Sequence, residues 1–176
     1  AIISKVTILK ALNLVFAYDK EEAKLVKENE GVLDTYEDEL GTYLVKLSSE
    51  ALSANDARTV SRMLHTIGDF ERLGDHALNL KKVAQEIHEK KITFSENAQK
   101  EITTLIEAVT EIVVMTTKVY EKNDLALASR VEPLEQVIDR LAAEIKSHHI
   151  NRLQSGDCTI EMGFVLSDLL TNCERI

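Results

Sequence analysis

The chain has 176 residues, of which 44% are apolar and 29% are charged, and its net charge at pH 7 is −9. These proportions are typical of a folded globular protein and exclude an intrinsically disordered one. We expect no nucleic-acid binding, because that needs a basic surface and the sequence shows no Lys/Arg cluster; an acidic chain suits cations or basic partners instead.

The predicted secondary structure is entirely helical. Trp is absent and only 5% of residues are aromatic, so the core must be aliphatic, which favours a helix bundle over a β-sandwich. Apolar residues recur at three- and four-residue steps, and no long segment alternates with period two. In chain order, this periodicity predicts six helices over roughly residues 2–18, 21–51, 56–90, 96–122, 125–153 and 158–176.

Two of these helices carry the clearest apolar stripes, which are expected to face the core because residues three and four apart share a helix face. In the second helix the stripe consists of Leu33, Tyr36, Leu40, Tyr43, Leu44 and Leu47. In the fourth helix it consists of Ile102, Leu105, Ile106, Val109, Ile112, Val113, Thr116, Val119 and Tyr120.

Polar residues and glycine mark the predicted helix boundaries. Ser53 and Ser95 are candidate N-caps, whereas Asn123-Asp124 and Gly156-Asp157 mark two further breaks. Pro133 lies near the start of the fifth helix, where it fixes an N-terminal turn or a kink. The apolar pattern of the sixth helix is unfinished at Ile176, so we expect that helix to be truncated.

Membrane and disulfide signals are absent from the sequence. No apolar run approaches the roughly 18–20 residues of a membrane-spanning helix, and no signal peptide is visible. Cys158 and Cys173 form no C-x-x-C motif, and buried, reduced thiols of a cytosolic protein are expected.

The chain repeats itself at an offset of roughly 105 residues. Residues 30–34 match residues 135–139, and residues 69–73 match residues 172–176. Each half then supplies three helices, which predicts two tandem three-helix bundles. The predicted division is residues 1–90 for the first repeat and residues 91–176 for the second.

Acidic residues four apart recur in both halves. Three of them are Glu-x-x-x-Asp pairs, namely Glu30/Asp34, Glu71/Asp75 and Glu135/Asp139, and Glu174 begins a fourth such pair. Side chains four apart on a helix share one face, where like charges repel by a few tenths of a kcal/mol unless a cation lies between them. Carboxylate oxygens suit magnesium, manganese, calcium or oxidised iron, and zinc also accepts them. A solvated acidic face, or pairing with Lys and Arg, remains the alternative interpretation.

The spacing of these pairs predicts how two helix hairpins align. If Glu30 lies opposite Asp75 and Asp34 opposite Glu71, the turn falls beside Ser53, at a predicted helix boundary. In the second half, Asp139 opposite Glu174 places the turn near Gly156 in the same way. Each hairpin would then gather its carboxylates at one level.

The segment Glu71-Arg72-Leu73-Gly74-Asp75-His76-Ala77-Leu78-Asn79 resembles the E-R-[IL]-G-D-x-A-x-N signature of the PhoU family. Residues 172–176 look like the start of a second copy. The resemblance implies a pair of similar three-helix bundles, no enzymatic activity, and multinuclear iron or zinc clusters on acidic motifs. By position, the implied metal ligands are Glu30, Asp34, Glu71, Asp75, Glu135, Asp139 and Glu174.

The resemblance leaves two settings open. Residues 43–48 and 66–72 look more like the PhoU-like cytoplasmic C-terminal domain of a sodium/phosphate symporter, which would link phosphate status to transport at the inner face of the membrane. The alternative is a free-standing PhoU-type negative regulator of phosphate uptake and signalling. Either setting implies a membrane phosphate transporter as partner, in the same or another chain, and a homodimer is compatible with both.

Enzymatic alternatives find little support in the sequence. No G-x-S-x-G motif, P-loop or dinucleotide fingerprint occurs. A ferritin-like di-iron enzyme needs Glu-x-x-His on two helices, and no Glu here has a His three residues later. A carboxylate-bridged, metal-dependent enzyme or metal store remains the alternative of another class.

His76 is interpreted as a surface residue, His148 and His149 as pointing to different faces, and Gly74 as a packing residue.

Overall fold

The computed structural model describes residues 1–176 and contains seven α-helices and no strand. The all-α prediction is therefore confirmed. The helices are α1 (Ile2–Leu14), α2 (Lys20–Ser48), α3 (Ala54–Glu89), α4 (Glu96–Lys122), α5 (Leu125–Ala128), α6 (Val131–Ser155) and α7 (Ile160–Arg175). None of them is both long and apolar enough to cross a lipid bilayer.

Side-chain caps fix most helix starts where the sequence predicts them. The side chains of Ser53 and Ser95 accept backbone N–H groups at the starts of α3 and α4, as Asp19 does at the start of α2. Each cap satisfies one of the N–H groups that the first turn of a helix leaves unpaired. At the other ends, Asn123 and Gly156 adopt the left-handed conformation that terminates α4 and α6.

The predicted fifth helix is wrong in one respect, because the structure divides residues 125–153 into α5 and α6. Residues Ser129 and Arg130 separate the two helices, and Pro133 is the third residue of α6. Proline has no N–H for the carbonyl of Ser129, and its ring would collide with that carbonyl in a continuous helix. At the start of α6 it costs nothing, because the first N–H groups have no intrahelical partner.

The long helices pack as two groups of three. Helices α1, α2 and α3 contact one another, as do α4, α6 and α7, while α1–α4 and α3–α7 contacts join the groups. The arrangement is two adjacent three-helix bundles, as predicted. A single cluster of 24 buried apolar residues runs through both groups, so the boundary between residues 90 and 91 stays a prediction. Its largest fully buried members are Ile8, Leu12, Leu80, Leu105, Ile145, Leu166, Leu169 and Leu170.

The far end of the α2–α3 hairpin lies outside this core. Leu44 and Val60 are buried there, but neither belongs to the 24-residue cluster. Tyr36, Leu40 and Tyr43, which the sequence predicts to face the core, are 49%, 45% and 61% exposed. Their stripe follows helix periodicity, but no third helix covers it. The prediction of burial for these three residues is therefore wrong.

Candidate functional site

The predicted acidic residues of the first half lie where α3 packs against α2 through Gly74. A Cβ atom at Gly74 would lie 2.9 Å from Cδ1 of Leu33 and 3.7 Å from Cγ of Glu30. Glycine therefore lets the two helix backbones approach here. The contact places residues 30–34 of α2 beside residues 71–75 of α3, in the register that the spacing of the acidic pairs predicts.

Glu71 is the electrostatic centre of this region. Burial raises the pKa of its carboxyl group, and the charge of Asp75 and a hydrogen bond to it raise that pKa further. The charges of Glu37 and Asp34, both on α2, act in the same direction. Four carboxyl groups from two helices therefore share one level of the hairpin. Glu37 was not predicted; its position three residues after Asp34 is the sequence signal that could have revealed it.

No basic side chain neutralises these carboxylates. The ion pairs of the chain lie elsewhere, and none includes Glu30, Asp34, Glu71 or Asp75. Glu30 and Glu71 are partly buried, whereas Asp34 and Asp75 are exposed. Pairing with Lys or Arg, one of the alternatives left open by the sequence, is therefore wrong for this hairpin.

The acidic residues of the second half are more dispersed. Glu135 and Asp139 on α6 and Glu174 on α7 are all exposed, and none forms an ion pair or a side-chain hydrogen bond. The α6–α7 hairpin does align about the turn at Gly156, because a Cβ atom at Gly163 would lie 2.6 Å from Nε2 of His149. The register thus agrees with the prediction, but no concentration of charge accompanies it.

The signature helices of the two halves meet through a polar contact. Nδ1 of His76 on α3 lies 3.1 Å from Oδ1 of Asn172 on α7, so an N–H at Nδ1 can donate to the amide oxygen. His76 is therefore bonded to Asn172 in the second half of the chain and not to a nearby carboxylate. His148 is exposed and bonded to Glu101, whereas His149 is buried, which confirms that they point to different faces.

The family model for the PhoU domain matches residues 3–84 and 102–176, which is nearly the whole chain and both halves of the fold. The chain belongs to the PhoU family. Among curated proteins, it is 25% identical over 119 residues to the phosphate-specific transport system accessory protein PhoU homolog 1 of Thermotoga maritima. That alignment covers 68% of the chain and 50% of the relative, so the chain spans about half the length of this relative.

A solved PhoU structure has the same fold. The crystal structure of PhoU from Pseudomonas aeruginosa superposes with a TM-score of 0.87, over 98% of this chain and 82% of that one. The sequence identity is 20%, so this likeness concerns the fold alone. The paired three-helix bundles described above are therefore the PhoU architecture.

The PhoU resemblance implies iron or zinc on the acidic motifs. The negative charge of the acidic residues in the first half is of the sign that a cation needs. Glu71 lies in a surplus of negative charge that nothing in the chain compensates. The side chains do not form a ready coordination shell, however, since no three His, Cys, Asp or Glu side chains lie close enough together to hold an ion. A cation could bind here only if it drew these side chains together, as exposed carboxylates on opposite helices allow.

Burial makes one of the two cysteines of this PhoU domain unreactive. Both Cys158 and Cys173 are free thiols, as predicted, but only Cys173 is buried; Cys158 is partly exposed, so the prediction of burial is wrong for that residue. Burial, with a smaller contribution from the charge of Glu174, raises the pKa of Cys173 to about 12. Its thiol is therefore protonated at neutral pH and is a poor metal ligand or nucleophile.

Proposed function

We propose that this chain acts as a PhoU-type regulator of phosphate transport, as an accessory to a membrane transporter formed by another chain. The observation that carries the proposal is the PhoU domain match over both halves of the chain. The Thermotoga maritima relative is by name an accessory protein of a phosphate-specific transport system. Both matched proteins bear the name PhoU, which favours the accessory setting over the symporter domain that the sequence first suggested.

The proposed role is regulatory and not catalytic. The chain has no nucleophile, P-loop or dinucleotide motif, and its buried thiol is held in the protonated form. Regulation would occur at the cytoplasmic face of the membrane, where a transporter exposes its intracellular surface. Self-association as a homodimer remains a prediction for solution measurements.

We further propose that the α2–α3 hairpin binds a divalent or trivalent cation through Glu30, Asp34, Glu71 and Asp75. Support comes from the uncompensated charge around Glu71, which a cation would stabilise. Iron or zinc is implied by the family, and magnesium or manganese would also suit oxygen ligands. Glu135, Asp139 and Glu174 are proposed as a second site that rests on the repeat alone.

The regulatory proposal is tested by deleting the gene in its source organism. Phosphate uptake and a phosphate-starvation reporter are measured in phosphate-rich medium, with the wild-type chain returned on a plasmid. We expect both signals to escape repression on deletion and to be repressed again by the wild-type chain. Unchanged signals on deletion would contradict the regulatory role. A loss of uptake, rather than its escape from phosphate control, would favour the symporter-domain setting.

A further inference from the structure

A second charged region lies further along the same helix hairpin, between the start of α2 and the end of α3. It is a groove of about 700 Å³ whose walls include five lysines and a single carboxylate, that of Glu89. The lysines are Lys20, Lys24, Lys27, Lys81 and Lys91. In a chain with a net charge of −9, this is a local reversal of sign.

The fold assembles this groove from three segments. Lys20, Lys24 and Lys27 are spaced by four and three residues, which places them on one face of α2. Lys81 extends from the facing part of α3, and Lys91 lies just after the end of α3. The antiparallel hairpin therefore brings together ammonium groups that lie up to 71 residues apart in the sequence.

Most of the positive charge in the groove has no partner within the protein. Lys20, Lys27 and Lys91 form no ion pair, and Lys81 donates to the neutral Oε1 of Gln85. Lys24 alone contacts an acid, Glu28 at 3.5 Å on a largely exposed surface. The repulsion among these ammonium groups is relieved when an anion enters the groove.

Polar and aromatic groups complete the walls. The rings of Tyr18 and His88 stack with their centres 4.8 Å apart, and both residues line the groove. On the α3 side of the groove, Gln85 accepts a hydrogen bond from Lys81 and donates one to Glu89. The lining thus offers hydrogen-bond donors and an aromatic face in addition to charge.

We propose that this groove binds an anion that carries two or more linked phosphate groups. Lysine is a common phosphate ligand, and five lysines around one concavity match a compact ligand with several negative charges. The groove is open to solvent, and its volume lies in the range of small-molecule sites. The proposal rests on the charge and shape of the groove and not on the regulatory function.

The first measurement is calorimetric titration of the chain with tripolyphosphate, ATP and orthophosphate at low and high salt. We expect tripolyphosphate to bind at least tenfold more tightly than orthophosphate, and more weakly as salt is raised. Tighter binding of ATP than of tripolyphosphate would identify a nucleotide, with its base against Tyr18 and His88. Tighter binding of tripolyphosphate would identify an inorganic polyphosphate. Either result supports the proposal.

Two matched triple variants locate the binding. The groove variant removes the unpaired charges through Lys20→Gln, Lys27→Gln and Lys91→Gln. The control variant carries the same kind of substitution at three lysines that are exposed and form no ion pair, namely Lys46, Lys122 and Lys146. We expect the dissociation constant of tripolyphosphate to rise at least tenfold in the first variant and less than twofold in the control. Thermal unfolding checks that both triple variants fold. If the groove variant does not fold, the single variant Lys27→Gln replaces it, and we expect this variant to weaken tripolyphosphate binding about threefold.

Three results would overturn the proposal. One is the absence of tripolyphosphate binding at millimolar concentrations, and another is an equal loss of binding in the groove variant and its control. The third is tighter binding of a glutamate-rich peptide or of anionic vesicles than of tripolyphosphate, which would assign the groove to an acidic protein segment or to a membrane.

Discussion

Gly74 of α3 lies directly against Leu33 of α2, and a Cβ atom at Gly74 would lie 2.9 Å from Cδ1 of Leu33, so a methyl group fits only if that side chain shifts. This contact sets the distance between the two helices at the level of the acidic residues. It also explains why a glycine occurs inside a helix, where it costs up to about 1 kcal/mol relative to alanine. Packing and the acidic site are therefore coupled at one position.

The substitution Gly74→Ala tests this coupling. The new methyl group would gain helix propensity but would displace the side chain of Leu33, and overpacking of this kind typically costs about 1–3 kcal/mol. Gly68→Ala is the matched control, because it lies in the same helix and a Cβ atom there has no neighbour within 4 Å. We expect Gly68→Ala to stabilise the chain slightly and Gly74→Ala to be at least about 1 kcal/mol less stable than that control, measured by urea unfolding. Equal stabilities would show that α2 and α3 do not depend on close approach here.

The register of this hairpin could be predicted from the sequence, but its surroundings could not. The turn between α2 and α3 is short and ends at a capping serine, Ser53, so the spacing of acidic pairs on either side of it determined which residues face each other. The exposure of Tyr36 and Tyr43 was not predictable in this way. Helix periodicity identifies which residues share a face, whereas burial depends on whether a third helix reaches that face.

The charge around Glu71 leads to a second prediction. Because the pKa of Glu71 is raised in the folded state, its ionised form opposes folding at neutral pH, and this unfavourable contribution disappears as pH falls through the raised pKa. Without divalent cations, Glu71→Gln is expected to increase the free energy of unfolding by a few tenths of a kcal/mol. Glu111→Gln on α4, an exposed carboxylate without an ion pair, is the control and should leave stability nearly unchanged.

Added metal should reverse the order of stability of the wild type and Glu71→Gln. A cation that binds only the folded state stabilises it by about 2.7 kcal/mol at a concentration one hundred times its dissociation constant. We expect zinc or manganese to raise the melting temperature of the wild type and of Glu111→Gln, and to raise that of Glu71→Gln much less. An identical response of all three proteins to metal would exclude Glu71 as a ligand.

The lysine groove illustrates a different limit of sequence analysis. The sequence shows no Lys/Arg cluster, because Lys20 and Lys91 are far apart along the chain and acidic residues such as Glu21 and Glu22 intervene. The spacing of Lys20, Lys24 and Lys27 on one helix face was the available signal. The contribution of α3 to the same groove follows only from the hairpin, so a charge count along the sequence could not reveal it.

A third prediction concerns the pH dependence of stability through His149. Burial lowers the pKa of this histidine below its ordinary value near 6.5, and the charge of Arg152 lowers it further. The unfolded chain therefore binds a proton more readily than the folded chain as pH falls below about 6.5. The neutral imidazole contributes stability above that pH, and the contribution is lost progressively on acidification towards the lower pKa of the folded state.

The measurement compares urea unfolding between pH 7.5 and pH 5.5 in three proteins. We expect His149→Gln to lose less stability over this interval than the wild type loses, although its stability at pH 7.5 is lower because a packed ring is removed. His65→Gln, at an exposed position that forms no ion pair, is the control, and its stability should change with pH as that of the wild type does. If His149→Gln and the wild type have parallel pH profiles, His149 does not titrate differently in the two states.

The last prediction concerns the ion pair that joins α4 to α6. Nη2 of Arg152 donates to Oε2 of Glu101 at 3.0 Å, and Nδ1 of His148 lies 2.8 Å from Oε1 of the same carboxylate. The side chains of Arg152 and Glu101 are only 16% and 23% exposed, so their bonds are shielded from water and salt. We expect Glu101→Ala to lower the free energy of unfolding by about 1–3 kcal/mol, because it leaves a half-buried guanidinium without its acceptor.

Glu28→Ala is the matched control for this prediction. It also replaces a glutamate within a helix, but the Lys24–Glu28 pair is 67% and 55% exposed and its atoms are 3.5 Å apart. Exposed pairs of this kind contribute about 0–0.5 kcal/mol, and helix propensity changes equally in both variants. In urea unfolding, the loss for Glu101→Ala should exceed that for Glu28→Ala by at least about 1 kcal/mol and should persist in 1 M salt. A difference that vanishes in high salt would mean that Glu101 acts as an ordinary surface charge and that apolar packing alone joins α4 to α6.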